Sequence, residues 1–316
     1  FIGDGLLLVR DGRVAALGDY ATLAPTLPPG TPVADFRGRW IVPGFVDTHV
    51  HYAQTDIIAS PGEQLLEWLE RYTFPEEGRF HDPDHAQEVA GFFLDELLRN
   101  GTTTAMVFPT VHKASVDALF AAAYARGMRL LSGKCLMDRH APGFLQDTAE
   151  SGDADSRELI ARWHGKGRLA YAVTPRFAAT STERQLELAG RLYAEHDDLY
   201  VQSHVAENRD EVRWIAELFP SARSYLDVYD RYGLVGPRAV YAHCIHLDES
   251  DRARMADSGT VVSFCPTSNL FLGSGLFDRA AAHRHGIHVT LGTDVGGGTS
   301  FSMFRTMHEA YKVVQM

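Results

Sequence analysis

The 316-residue sequence contains few cysteines, no long apolar run and no excess of positive charge. Its three cysteines, Cys135, Cys244 and Cys265, include no C-x-x-C pair and are too few for a disulfide framework. We therefore expect buried thiols in a reducing cytoplasm. Because no run of about 18 apolar residues occurs, the sequence predicts no membrane span. The net charge of −11 argues against a nucleic-acid partner.

Two histidines end the apolar-rich stretch of residues 40–51. Successive side chains of a strand point to opposite faces, so His49 and His51 are expected to face the same side. Two neutral imidazoles can form half of a tetrahedral zinc site, and they make a poor core pair because each ring needs a polar partner. An HxH pattern is weak evidence by itself, since strand-end histidines also occur with backbone partners.

From residue 41 onward, strand-like and helix-like stretches alternate. The predicted strands are residues 41–51, 102–108, 129–137, 169–173, 199–205, 239–245, 260–264 and 287–291. Asp82 is expected to cap the helix that follows it, and Thr180 with Glu183 is expected to form a capping box. The alternation predicts an α/β fold, a (β/α)8 TIM-type barrel over residues 41–316. A doubly wound sheet would alternate in the same way, but a barrel places functional residues at many strand ends at once.

Residues 1–40 follow a different pattern. Asp11 and Gly12 separate two apolar stretches, which indicates a hairpin, and residues 31–36 are expected to form another short strand. This is too little to form a core alone. We therefore predict that residues 1–40 form the first part of a small accessory β-sandwich, completed by a C-terminal segment beyond Met316.

Polar side chains follow five of the predicted barrel strands, at the end where barrel active sites lie. They are His49, His51 and Gln54, then Arg176 and Phe177, then His204 and Glu207, then His243 and His246, and finally Asp294. The candidate metal ligands are His49, His51, His204 and Asp294. This mixed nitrogen and oxygen set suits zinc better than iron(II) or manganese.

The same strand ends supply candidate catalytic groups. Zinc lowers the pKa of water towards about 7, which would make a nucleophile available at neutral pH. Asp294 is placed to take a proton from that water, His243 to hydrogen-bond it, and Glu207 to shuttle a proton to the substrate. Asp294 could instead cap a helix, since glycines follow it at 296–298. We expect His246 to be structural.

Several stretches of the sequence resemble the amidohydrolase superfamily and, within it, the guanine deaminase family. They are residues 43–51 with Gln54, then 60–66, 137–142, 174–177, 203–208, 242–243, 264–269 and 292–298. The HxH pattern and the His204-x-x-Glu207 pattern mark only the superfamily. The Arg176-Phe177 pair and residues 60–64 are the sharper signals of the narrower family.

The resemblance implies hydrolysis of guanine to xanthine and ammonia in purine catabolism or salvage, by a cytoplasmic homodimer. It implies zinc on the four candidate ligands. It also implies contacts with the substrate and catalytic roles for residues named above. The substrate contacts would be Gln54, Arg176, Phe177, His204, Glu207 and Asp294, and the catalytic groups Glu207, His243 and Asp294. One zinc per chain is expected, because residues 173–176 include no lysine to bridge a second metal and Lys166 lies too early.

Two alternatives remain open from the sequence. One is a related deaminase or chlorohydrolase acting on another aminoheterocycle such as a triazine, a pterin or another purine, because contacts in the pocket decide the substrate. The other is an inactive barrel that serves as a metal-binding scaffold. Glu207 and His243 argue against the scaffold, since neither is needed merely to hold a metal. Residues 52–80 are expected to close over the substrate.

Overall fold

A computed structural model of the protein describes residues 1–62 and 64–316. Glu63, which belongs to the sequence signal at residues 60–66, lies outside the described residues. The chain divides into two compact units, Phe1–Pro43 and Gly44–Met316. Each unit is described separately.

The unit Phe1–Pro43 contains an antiparallel hairpin of β1 (Gly5–Arg10) and β2 (Arg13–Asp19), followed by the short helix α1 (Tyr20–Leu23). Asp11 and Gly12 form its turn with φ of 52° and 70°. Two positive φ values are what a two-residue hairpin turn requires, so the predicted hairpin is confirmed. Residues 31–36, all of them described, form no strand, and that prediction is wrong. The accessory β-sandwich stays a prediction.

The unit Gly44–Met316 is built on a parallel sheet that curves into a barrel. Its strands are β3 (Phe45–His51), β4 (Thr102–Phe108), β5 (Arg129–Ser132), β6 (Cys135–Leu136), β7 (Leu169–Pro175), β8 (Tyr200–Val205), β9 (Ala239–His243), β10 (Val261–Phe264) and β11 (Val289–Leu291). They pair in the order β3-β4-β5-β7-β8-β9-β10-β11, with β6 also paired to β7. The predicted TIM-type barrel is confirmed.

Helices connect the strands and cover the sheet. They are α2 (Leu65–Trp68), a π-helical turn (Leu69–Thr73), α3 (Phe74–Gly78), α4 (Pro83–Arg99), α5 (Lys113–Ala125), α6 (Ala149–Trp163), α7 (Glu183–Ala194), α8 (Arg209–Leu218), α9 (Tyr225–Arg231), α10 (Glu249–Ser258), α11 (Pro266–Phe271), α12 (Arg279–Arg284) and α13 (Met303–Gln315). None of the helices in the described part of the chain is long and apolar enough to cross a membrane.

Helix α4 shows how the sequence covers the barrel. Asp82 caps it, accepting a hydrogen bond from the backbone nitrogen of Asp84, as expected. Its buried residues are Ala86, Val89, Ala90, Phe93, Leu94 and Leu97. They recur every three or four positions, so they form one apolar stripe that faces the sheet.

Apart from shifts of one or two residues at other strand ends, three local predictions for this unit differ from the structure. Strand β3 begins at Phe45 rather than at residue 41. The predicted third strand, 129–137, is interrupted between β5 and β6 at Gly133, where a Cβ atom would lie 1.9 Å from the carbonyl oxygen of Ala172. The cap of α7 is Thr182, whose side chain accepts from the backbone nitrogen of Gln185, because Thr180 belongs to a preceding 3-10 turn.

Strands β3 and β11 meet where the ladder of strands ends, and we call this junction the seam. The backbone nitrogen of Asp294 donates to the carbonyl oxygen of His49 at 2.8 Å. The hydroxyl of Thr48 lies 2.7 Å from Ser263 Oγ and 2.8 Å from Thr290 Oγ1. Below the histidines, buried Asp47 accepts from the backbone nitrogen of Thr293 at 3.0 Å. These bonds close the barrel and place Asp294 beside the HxH pair.

Candidate metal centre and active site

The four candidate metal ligands come together at the C-terminal ends of β3 and β8 and just beyond β11. His51 Nε2 lies 3.2 Å from His49 Nε2 and 3.2 Å from His204 Nε2. Asp294 Oδ1 lies 3.2 Å from His49 Nε2 and 3.4 Å from His51 Nε2. The ligand atoms of all four residues lie within 4.8 Å of one another, so the group could hold a metal ion.

The protonation of this group also suits a cation. Burial lowers the pKa of His51 to about 3 and that of His204 well below its usual value, so both imidazoles are neutral. His204 Nδ1 donates to the carbonyl oxygen of Arg176 at 2.6 Å, which leaves the Nε2 lone pair free towards the cluster. Burial alone would raise the pKa of Asp294, but the neighbouring histidines hold it well below its usual range. Neutral imidazole nitrogens and a carboxylate are ligands that zinc accepts.

A second combination of ligand atoms overlaps with the first. His49 and Asp294 also lie within 4.8 Å of His243 and of the thiol of Cys265. Cys265 is fully buried, and burial raises the pKa of its thiol well above the usual value. The two sets share two members, so they describe one centre. The sequence interpretation treated Cys265 as a buried thiol and gave no signal that it would lie here.

Glu207 follows β8 and faces the same centre. Its Oε2 lies 3.3 Å from His243 Nε2, and its Oε1 accepts a hydrogen bond from Ser274 Oγ at 2.9 Å. Burial, together with the nearby negative charge of Asp294, raises the pKa of Glu207 to about 8. A carboxyl group with that pKa carries a proton at neutral pH and can donate it.

His243 ends β9 and is held by a residue that the sequence interpretation missed. Its Nδ1 donates to Asn269 Oδ1 at 2.8 Å, so the other ring nitrogen faces the centre. His243 Nε2 is buried, has no hydrogen-bond partner among the described residues, and lies 3.7 Å from Asp294 Oδ2. Asn269 was noted only within the family-like stretch 264–269, which gave no hint of this contact.

Backbone strain coincides with the centre. His243 and Asp294 adopt φ of 70° and 50°, and Ala206, next to Glu207, adopts 51°. Residues other than glycine rarely adopt this region, and they persist there only where the surrounding structure enforces it. The bonds described above supply that enforcement at His243 and at Asp294.

A cavity opens onto these residues. Its polar lining includes His51, Gln54, Arg176, His204, Glu207, Glu211, His243 and Asp294. Its apolar lining includes Leu65, Trp68, Leu69, Phe177 and Leu272. The predicted substrate contacts all line it, whereas His246 donates to the carbonyl oxygen of Ser274 and lies outside the cavity lining.

Two buried carboxylates near the cavity gave no signal in the sequence. Glu77 pairs with Arg176, with Arg176 Nη1 at 2.6 Å from Glu77 Oε2. Glu211 accepts hydrogen bonds from the backbone nitrogens of Glu207 and Asn208, at 2.9 and 3.1 Å. Glutamates on helices are ordinarily solvated, so only the three-dimensional arrangement distinguishes these two from surface residues.

The barrel and its histidine and aspartate cluster define a metal-dependent hydrolase of a recognisable class. The chain belongs to the amidohydrolase family, whose pattern matches residues 40–315. Among its relatives is the guanine deaminase of Escherichia coli strain K12, 52% identical over 316 residues, which are 100% of this chain and 72% of the relative. The expected resemblance to guanine deaminases is confirmed.

Solved structures agree with this assignment. One described as E. coli guanine deaminase has a TM-score of 0.97 and 51% identity, covering 98% of this chain and 72% of that chain. The guanine deaminase from C. acetobutylicum, solved with guanine bound in its active site, has a TM-score of 0.93 and 32% identity. The match covers 99% of this chain and 75% of that chain.

Proposed function

We propose that this protein is a guanine deaminase, which hydrolyses guanine to xanthine and ammonia with one zinc ion per chain. The observation that carries the proposal is that Arg176 and Gln54 line the same cavity as the histidine and aspartate cluster. A hydrolytic centre thus faces side chains that can bind a planar polar ring. The E. coli relative at 52% identity supports the choice of guanine.

The metal would be held by His49, His51, His204 and Asp294, which fit it in type and in protonation. Zinc bound there would act as a Lewis acid that activates water at neutral pH. Substrate binding and proton transfer would be carried out by side chains of the protein.

Substrate choice would rest on Arg176, Gln54 and Phe177. Guanine carries a carbonyl acceptor, O6, where adenine carries an amino donor. A guanidinium group only donates hydrogen bonds, so Arg176 facing that edge accepts guanine and rejects adenine. Phe177 is buried in the cavity wall, where its ring can stack on the purine.

The hydrolysis forms a bond from carbon C2 to oxygen and breaks the bond from C2 to the amino nitrogen. Asp294 would accept one proton of the attacking water, and His243 Nε2, which faces the centre as an acceptor because the ring proton lies on Nδ1, would accept a hydrogen bond from the same water. Glu207 would give its proton to N3 of the ring, take the proton of the hydroxyl group now on C2, and pass that second proton to the leaving amine, so that ammonia departs and a carbonyl remains at C2. The proton that Asp294 accepted would then restore the proton of Glu207. Its pKa of about 8 suits this role, because the group is protonated at neutral pH and readily gives the proton up.

We further propose that the protein acts in the cytoplasm as a homodimer, in guanine catabolism or salvage. The three cysteines are buried free thiols, which a reducing compartment keeps in that state. Light scattering on the purified protein would give the mass of one chain or of two. Cell fractionation would test the compartment.

The experiment that tests the activity is steady-state ammonia release from guanine, with zinc assayed on the same sample and adenine, cytosine and ammeline as alternative substrates. We expect turnover of guanine and about one zinc per chain. A zinc-loaded protein that is silent on guanine but active on another aminoheterocycle would keep the mechanism and overturn the substrate. A zinc-loaded protein without any turnover would instead favour the metal-binding scaffold.

The substitution Arg176→Ala separates guanine from the other aminoheterocycles. If guanine is held through O6, the loss in kcat/KM corresponds to about 2 kcal/mol or more. An unchanged value would remove Arg176 from the account of specificity.

A further inference from the structure

Glu77, in helix α3, is a fully buried carboxylate behind the cavity wall. Its oxygens accept from Arg176 Nη1 at 2.8 and 2.6 Å, and Oε1 also accepts from Gln54 Nε2 at 3.1 Å. Both partners line the cavity, whereas Glu77 is not part of the lining. One carboxylate therefore holds the two polar side chains proposed to bind the purine.

Gln54 is fixed at both ends of its amide. Its Oε1 accepts from the backbone nitrogen of Gly296 at 3.1 Å, while its Nε2 donates to Glu77. These two bonds fix a single orientation of the Gln54 amide. The second N–H of Nε2 is left for a ligand. Without Glu77, the amide could rotate and present an acceptor to the substrate instead of a donor.

Arg176 is fixed by the same carboxylate. Its guanidinium is buried, with Nη1 turned to Glu77 and its central carbon 5.7 Å from the centre of the Phe74 ring. A buried charge needs a partner, and the carboxylate of Glu77 offsets it beside a centre that must bind a cation. The guanidinium N–H groups that neither Glu77 nor the thiol of Cys135 engages remain as donors in the wall of the cavity.

We propose that Glu77 is a positioning residue that sets the purine specificity of this site. By holding Arg176 and Gln54, it directs their remaining N–H groups towards the acceptor edge of guanine that carries O6. This inference rests on the proposed function, because it concerns recognition of the same substrate. Glu77 touches neither the substrate nor the metal ligands and acts through its two partners.

The test compares guanine with 2-aminopurine, which carries the same amino group but lacks O6. In Glu77→Gln we expect kcat/KM for guanine to fall ~10- to 100-fold, mainly through KM, because the donors facing O6 lose their orientation. For 2-aminopurine, measured by turnover or by its Ki against guanine, we expect a change below ~3-fold. The zinc content should stay at the wild-type value.

Two matched variants separate positioning from a general loss of stability. Glu76→Gln removes the neighbouring carboxylate of α3, which pairs with Arg79 at the surface at 2.8 Å. Asp147→Asn breaks another buried ion pair of the barrel, the one between Asp147 and Lys134. Neither of these two residues lines the cavity. Neither control should change the ratio of guanine to 2-aminopurine, even where Asp147→Asn lowers the melting temperature.

A second substitution of Glu77 itself covers the case in which Glu77→Gln does not fold. Glu77→Asp keeps the charge and withdraws the carboxylate by one methylene, so it should lower the guanine to 2-aminopurine ratio in the same direction. A wild-type ratio in every folded Glu77 variant would overturn the inference. A wild-type protein that does not turn over guanine would instead overturn the proposed function, so the two failures are distinct.

Discussion

Asn269 Oδ1 accepts a hydrogen bond from His243 Nδ1 at 2.8 Å, and this contact decides which ring nitrogen faces the cavity. In a neutral imidazole only one nitrogen carries a proton. The bond to Asn269 keeps that proton on Nδ1 and leaves Nε2 towards Glu207 and Asp294.

Replacing Asn269 should therefore impair the chemical step. In Asn269→Ala we expect kcat to fall ~10- to 100-fold with little change in KM, because His243 loses its orientation while the purine contacts remain. Asn100→Ala is the matched control, since the side chain of Asn100 donates to the carbonyl oxygen of Glu96 on α4 and does not line the cavity. Steady-state kinetics on guanine gives kcat and KM for both variants. A tenfold rise in KM at constant kcat would contradict the role given to Asn269.

Glu207→Gln should separate metal binding from catalysis. The substitution keeps the shape of the side chain but removes the proton that Glu207 is proposed to deliver. We expect kcat to fall by ~10²- to 10⁴-fold, while zinc content stays near the wild-type value. Glu217→Gln on the exposed face of α8 serves as the control. Near-normal turnover in Glu207→Gln would show that another group moves the proton.

Removing the metal should destabilise the protein as well as inactivate it. Chelation leaves three converging imidazoles and a buried carboxylate without their cation. Where zinc had been present at ~1,000 times its Kd, about 4 kcal/mol of the free energy of unfolding is lost. Scanning calorimetry with and without added zinc measures this change. His204→Ala should show the same low melting temperature whether or not zinc is added, whereas His308→Ala, at an exposed position of α13, should respond as the wild type does.

The segment of residues 52–80 should respond to a ligand in the cavity. Leu65, Trp68 and Leu69 line the cavity from this segment, and Trp68 Nε1 donates to the carbonyl oxygen of Ser60 at 3.2 Å. We expect the product xanthine to protect the segment from limited proteolysis and to change the fluorescence of Trp68. Digestion at the same rate with and without xanthine would argue against closure over the substrate.

The sequence was most informative where residue type and strand position act together. His49, His51, His204 and Asp294 could be placed on one face because every barrel strand ends on the same side, whatever its position in the chain. Apolar periodicity likewise located the strands, with errors at their ends. The bounds of β3 failed because Trp40, Ile41 and Val42 are apolar yet exposed.

The parts of the site that could not be predicted depend on contacts between residues that are distant in sequence. Glu77 is 99 residues from Arg176, and Ser274 is 67 residues from Glu207. No local pattern distinguishes such a glutamate or serine from a solvated one. The hydroxyl of Thr182 caps α7 where Thr180 was expected, because both positions satisfy the same local preference and only the turn at 178–180 decides between them.

The seam between β3 and β11 ties the candidate metal centre to the closure of the barrel. Two candidate ligands, His49 and His51, lie on one side of the seam, and the candidate ligand Asp294 lies on the other, joined through backbone bonds and the hydroxyl of Thr48. Parting of these strands would separate the ligands before the helices unfold. Zinc release during denaturation should consequently follow the opening of this junction, so that loss of the metal would report the first separation of the barrel strands.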